Sequence, residues 1–247
     1  GKWVDQLAQD CDIVCRFQGG NNAGHTLYVD GKKHVLHLLP NGVFHPKTNI
    51  AICSGVVVDP LNLIKEIQGL APQVEVSPER LWLSAKAHVI TPWHIHSDVR
   101  QESQAVKPIG TTKRGIGPTY ADRCFRHGLR MEAFCKSEKL KEWIEHYCEQ
   151  DREFASHYKE HRQLWQEFED SAQVLAPYVC SAEIRIREAV NAGKKVLCEG
   201  AQGVLLDMDH GTYPYVTSSS TLSAQAAVSI GMDPRKINGI YGIAKAY

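Results

Sequence analysis

Apolar positions in the first hundred residues recur in short runs, each closed by a turn signal. "CDIVCRF" predicts a buried strand over Asp12 to Phe17, preceded by a short helical turn over Val4 to Ala8. "HTLYVDGKKHVLHLL" alternates on both sides of Asp30-Gly31, which predicts a β-hairpin. "NIAICSGVVVD" and "RLWLSAKAHVI" are two further apolar runs of strand length. Between them, Asp59-Pro60 supplies an N-cap and a proline at the first helical position, opening the helix "PLNLIKEIQGL". Residues 107 to 122 turn Gly-, Thr- and Pro-rich and predict a long loop.

The period changes from 137 to 190. Leu140, Trp143, Ile144, Tyr147 and Cys148 fall on one helical stripe, and Phe154, Tyr158, His161, Trp165 and Phe168 make a second. These aromatics read as helix-packing positions, not as a stacking platform. "KKVLCEG" returns to strand, a long loop follows to about Thr217, and "INGIYGIAKAY" predicts a last strand. Strands separated by helices imply an α/β fold: a mainly parallel central sheet flanked by helices, with a helical insertion around 137–190. Ligands of such sheets gather at loops leaving the strands' C-terminal ends.

A chain of 247 residues is long enough for a sizeable core. Lys plus Arg is 28 and Asp plus Glu is 28, so the formal charge is zero, and neither nucleic-acid binding nor an acidic tail is expected. The eight cysteines are scattered without a C-x-x-C pair, which predicts reduced thiols and a cytoplasmic protein. The chain carries no bilayer-length apolar run and no signal-peptide pattern, so no membrane association is expected.

Three loops carry chemistry. "QGGNNAGHT", residues 18 to 26, offers backbone amides at its glycines, two carboxamides and a histidine. "IGTTKRGIGP", residues 109 to 118, combines three glycines, two hydroxyls and two cations, the composition of a phosphate cradle. "CEGAQGVLLDMDHGTYPYVTSS" holds Gln202 and the run Asp207-Met208-Asp209-His210, which with His94 and His96 has the residue types of a divalent-metal site. Each has a plain structural reading as well: a hairpin entry, a basic surface loop, and carboxylates serving as turn acceptors. Arg123, Arg126 and Arg130 of "DRCFRHGLR" read singly as solvated surface charges.

Gly1-Lys2 and the three loops stand in an order and spacing that resembles the adenylosuccinate synthetases, from Gly1 to Tyr247. The resemblance implies GTP-driven joining of IMP and L-aspartate through a 6-phosphoryl-IMP intermediate, with Mg²⁺, in a cytoplasmic homodimer. It implies one α/β nucleotide-binding catalytic domain over 1–247. His25 would be the general acid. Asn22, Ala23, Gly24, His25, Thr112, Gln202 and Thr217 would hold IMP, with Arg126 reaching IMP on a neighbouring subunit. Gly1, Lys2, Gly24, His25 and Thr26 would lie along the GTP phosphates, and the Gly24 carbonyl would meet Mg²⁺.

Three positions depart from the family pattern: Asn21 replaces a usual His, Lys113 a usual Gly, and "TLSAQAA" a Gly-rich stretch. Of the family's GDEGKGK loop, this chain carries Gly1-Lys2. The expectation is therefore an incomplete catalytic domain with an open sheet edge beside Asp12–Phe17, and no activity from the 247 residues alone. The alternatives are a non-catalytic nucleotide-binding pseudo-enzyme or partner subunit, and a metal-dependent hydrolase using Asp207, Asp209 and His210.

Overall fold

A computed structural model of the chain describes residues 1–29 and 31–244. A short helix, α1 (Lys2–Ala8), leads into β1 (Ile13–Arg16), whose four residues are all buried. β2 (His25–Val29) and β3 (Lys32–Leu36) pair antiparallel as the expected hairpin, with His25 opposite Leu36. Asp30, half of the expected turn, lies outside the described residues. The next apolar run divides into β4 (Asn49–Ile52) and β5 (Val57–Val58). α2 (Pro60–Leu70) starts as read: the Asp59 carboxylate accepts from the Asn62 amide at 3.0 Å.

"RLWLSAKAHVI" likewise divides into β6 (Leu81–Ser84) and β7 (His88–Val89). α3 (Pro92–Gln104) follows, held by a capping box between Thr91 and His94. The loop expected over 107–122 stops short, because α4 (Ile116–Phe125) begins within it. Its start is fixed by Gly115, whose φ of 73° turns the chain and whose absent side chain lets it approach the His94–Ile95 peptide. After α5 (Met131–Phe134) come α6 (Ser137–Gln150), α7 (Arg152–Glu160) and α8 (Arg162–Leu175). The region 137–190 is not wholly helical, since β8 (Val179–Cys180) precedes α9 (Ala182–Asn191). β9 (Val196–Glu199) and α10 (Ala224–Ile230) complete the elements. No strand forms over 237–244, which are mostly exposed and unpaired; 245–247, the rest of the expected last strand, lie outside the described residues.

The main sheet has the order β8-β6-β4-β1-β9, and every pairing in it is parallel. β1 is therefore an inner strand between β4 and β9, not an edge, which corrects the expectation of an open edge there. Helices cover both faces, as a parallel sheet requires. Ile50, Ile52, Leu81 and Leu83 belong to the core shared with Leu140, Ile144, Phe154, Trp165 and Phe168. Ile13, Cys15, Ala51 and Cys53 pack instead with Ile186 and Ile230. Each large apolar side chain buried this way contributes about 1.5–3 kcal/mol. The aromatic stripes of α6–α8 are packing positions, as read, at Phe154, Trp165 and Phe168, which are buried, whereas His161 of the second stripe is exposed. All eight cysteines are free thiols, and no helix among the described residues is long and apolar enough to cross a membrane.

Candidate active site

The C-terminal ends of β1 and β9 carry charge into the interior. Arg16 and Glu199 close these strands as register partners, and both are buried. The chain leaves β1 through Gln18 and two glycines. A Cβ on Gly20 would stand 2.6 Å from Ile116 Cδ1 and 2.9 Å from the Val57 carbonyl oxygen, so only glycine fits. Gln18 bonds the Ala201 carbonyl, and its own oxygen accepts from Ser219 Oγ at 3.1 Å. The phenol of Tyr120 on α4 accepts from the Gly19 amide at 3.0 Å and donates to the Gly55 carbonyl at 2.7 Å. Three segments distant in sequence are thereby fixed to one another.

At the far end of the first loop stands His25. Its Nδ1 contacts Glu199 Oε1, while Glu199 Oε2 accepts from the Asn41 amide at 2.8 Å. Burial alone would push the Glu199 carboxyl up. The bond with His25, the Arg16 charge and the Asn41 amide outweigh it and hold the group below the usual carboxylate range. Asn22 Nδ2 donates to Thr217 Oγ1 at 3.4 Å, joining the first loop to the third. The Ala23 carbonyl lies 2.8 Å from His37 Nδ1, and Gly24 and Thr26 are exposed. Gly1 packs on the same segment: a Cβ there would lie 3.0 Å from the Thr26 carbonyl oxygen. Lys2 opens α1 and is exposed.

The second loop is tied down differently from the cradle its composition suggests. The Gly110 amide donates to Glu102 at 2.7 Å and the Gly115 amide to Asp98 at 2.8 Å, so acidic side chains already occupy two of its amides. Arg114 reaches the Asn21 carbonyl and links this loop to the first. Thr112 is exposed and makes no hydrogen bond among the described residues. Gln202 is half-buried and likewise unbonded. Arg126 ends α4 exposed, with no hydrogen bond or ion pair to its guanidinium among the described residues. Among the described residues, the non-glycine residues with positive φ are Lys113, Arg126 and Gln202, at 56°, 66° and 67°. Such strained backbone collects at functional sites.

The metal reading of the third loop is corrected. Asp207 is buried, and its carboxylate accepts from the amides of Thr221, Asp209 and His210 at 2.6, 3.0 and 3.1 Å. Burial opposes ionisation, but these amides hold the group at about 2. Both ring nitrogens of His94 are engaged, with Thr91 and with Asp122. No group of three or more His, Cys, Asp or Glu among the described residues is placed to hold a metal ion.

Sequence reading missed Arg16, Asn41, Tyr120 and Glu199. A charged residue ending an apolar run, as in "CDIVCRF" and "KVLCEG", was the available signal for two of them.

The sequence model of the adenylosuccinate synthetase family matches residues 1–247. An adenylosuccinate synthetase of Thermodesulfovibrio yellowstonii is 42% identical over 252 residues, and one of Desulforudis audaxviator 44% identical over 253. Each comparison covers 100% of this chain, which spans 59% of the relative's length. Among solved structures, the fully ligated adenylosuccinate synthetase of Plasmodium falciparum superposes with a TM-score of 0.86 at 35% identity, over 96% of this chain and 56% of that one. A cyanophage S-2L succinoaminodeoxyadenylate synthetase, at 22% identity and a TM-score of 0.63 over 95% of this chain and 55% of that one, shares the fold. With loops of the three sequence motifs tied together beside the ends of parallel strands, and a match running the whole length, this chain belongs to the adenylosuccinate synthetase family.

Proposed function

We propose that the protein joins IMP and L-aspartate at the expense of GTP, giving adenylosuccinate, GDP and phosphate, as a cytoplasmic homodimer with one catalytic domain per chain. The observation that carries this is the meeting of two residue sets around Gly24 and His25. On one side Gly1 packs against Thr26; on the other Asn22 bonds Thr217. The first set suits polyphosphate, and the second suits a purine nucleotide.

In this reading the GTP γ-phosphoryl group passes to O6 of IMP, and the amine of aspartate then displaces phosphate from C6. Asn22, Ala23, Gly24, Thr112, Gln202 and Thr217 hold IMP, with Arg126 supplied by the second subunit. Gly1, Lys2, Gly24, His25 and Thr26 line the phosphates. His25 donates to the oxygens between which the phosphoryl group moves; with Nδ1 turned to Glu199, Nε2 is the nitrogen left to do so. Catalysis of this kind is mostly positioning and charge stabilisation, for which amides and glycines suffice. Gly24 is exposed beside His25, and one backbone carbonyl fits Mg²⁺, a cation held largely by phosphates and water. When bound, the ion neutralises phosphate charge.

Supplying the full-length protein with IMP, aspartate, Mg²⁺ and GTP should give adenylosuccinate that depends on all four. IMP binding with no product under any nucleoside triphosphate would overturn the catalytic reading in favour of a binding subunit.

A further inference from the structure

Beneath His25 lies a buried polar cluster that the glycine-rich motifs do not contain. Arg16 and Glu199 are 0% and 1% exposed, and they sit in an otherwise apolar parallel sheet. Two opposite charges buried side by side are weak support for stability, because desolvating them offsets their attraction. Its contacts point to another use. Glu199 Oε1 meets His25 Nδ1 and the Asn41 side-chain amide, and Oε2 accepts from the Asn41 backbone amide. An ionised carboxylate can only accept, so the His25 proton on this side sits on Nδ1. The 3.0 Å between Asn41 Nδ2 and His25 Nδ1 is then the spacing of two donors on one oxygen. Arg16 donates from NH1 to the His37 carbonyl at 3.1 Å, while its Nε and NH2 make no hydrogen bond among the described residues. Its contribution to Glu199 is therefore charge more than a bonded geometry.

We propose that Glu199 is a positioning residue for His25. It takes the Nδ1 proton, fixes the plane of the ring and turns Nε2 toward the reacting oxygens, with buried Arg16 balancing its charge. The proposal rests on the reading of His25 as the acting residue.

Glu199→Gln tests it with little change of volume. The Asn41 backbone amide can only donate, whereas its side-chain amide can turn its unbonded Oδ1 inward to accept, so the new side-chain oxygen takes the Oε2 position. Its NH₂ then faces His25 Nδ1, and the neutral ring must move its proton to Nε2. ¹⁵N NMR of histidine-labelled full-length protein should show the neutral ring protonated at Nδ1 in the wild type and at Nε2 in Glu199→Gln. The kcat for adenylosuccinate should fall about 10²–10³-fold, with KM for IMP and GTP changed by no more than about threefold. In a His25→Asn background the same substitution should cost less than about twofold, since Glu199 acts through the ring.

An unchanged tautomer, or an equal loss in the His25→Asn background, would leave Glu199 a structural residue and overturn the proposal. Should Glu199→Gln fail to fold, the wild-type spectrum decides: a neutral ring protonated at Nε2 refutes the assignment. A wild-type protein that makes no adenylosuccinate would sink the functional reading, and the NMR result would still decide the positioning.

Discussion

Lys113 holds φ at 56°, where the Cβ of an L-residue crowds the next carbonyl at a cost of roughly 1–2 kcal/mol. The family pattern has glycine there, and the backbone explains why glycine suits. Lys113→Gly should relieve that strain, partly offset by the greater freedom glycine gives the unfolded chain. A net gain of about 0–1 kcal/mol in denaturant unfolding is expected. A clear loss would mean that the exposed lysine makes a contact the strain supports. A second departure, Asn21, is held from one side: its Nδ2 donates to Asp59 at 2.9 Å, onto the carboxylate that caps α2, while its buried Oδ1 has no partner among the described residues. His25→Asn in the full-length protein should keep IMP binding by calorimetry while turnover drops about 10²–10³-fold. Near-normal turnover would remove His25 from the chemistry.

Among the elements, α4 does the most to hold the loops in place. Tyr120→Phe would leave the Gly19 amide and the Gly55 carbonyl without their buried partner, at about 1–3 kcal/mol. We expect that loss in thermal melts together with weaker IMP binding; a melt unchanged within error would show water replacing the phenol. Burial pushes this phenol to about 12, so the hydroxyl keeps its proton at ordinary pH. The 198–219 loop has an acid limit of its own. Asp207 titrates lower in the folded chain than in the unfolded one, so its stabilising contribution is complete above about pH 4 and is lost as pH falls toward 2. Protection from hydrogen exchange at Asp209, His210 and Thr221, corrected for the intrinsic rate at each pH, should fall across that window, and Asp207→Asn should remove that pH dependence.

Much of this element layer was legible. The hairpin, the Asp59 cap and the aromatic stripes of α6–α8 follow from period and turn chemistry. α4 was hidden because "IGPTYADRCF" opens with residues that usually mark loops, although Pro118 sits in the first turn, where its missing N–H costs nothing. β8 is two residues long, too short to show alternation. Asn22 and His25 announced themselves through loop composition, and Thr217 only through the family resemblance. Glu199 and Arg16 did not, because a charge at the end of an apolar run reads as the strand's boundary; only their register across the sheet shows that both turn inward.

At the scale of the whole molecule, Arg126 is exposed beside Phe125, which is 68% exposed, at the end of α4. If it serves a second subunit, Arg126→Leu should raise the IMP requirement. Mixing that variant with one defective at Thr112 or Gln202 should then restore part of the activity through hybrid sites. No recovery between dimers shown to exchange would place Arg126 outside the neighbour's site. The inner position of β1 has a consequence of a different kind. Cys15 and its β9 partner Cys198 are 183 residues apart, whereas β4 follows β1 closely. At ribosomal speeds of about 5–20 residues per second, β1 waits roughly 10–40 s for its second neighbour. During that interval a completed hairpin carries His25 with no Glu199 to meet it, and one side of β1 stays an unpaired edge of the sort that recruits other chains. The histidine's seat is thus completed long after the hairpin that carries it, and the nascent protein depends on whatever shields that edge until β9 leaves the ribosome.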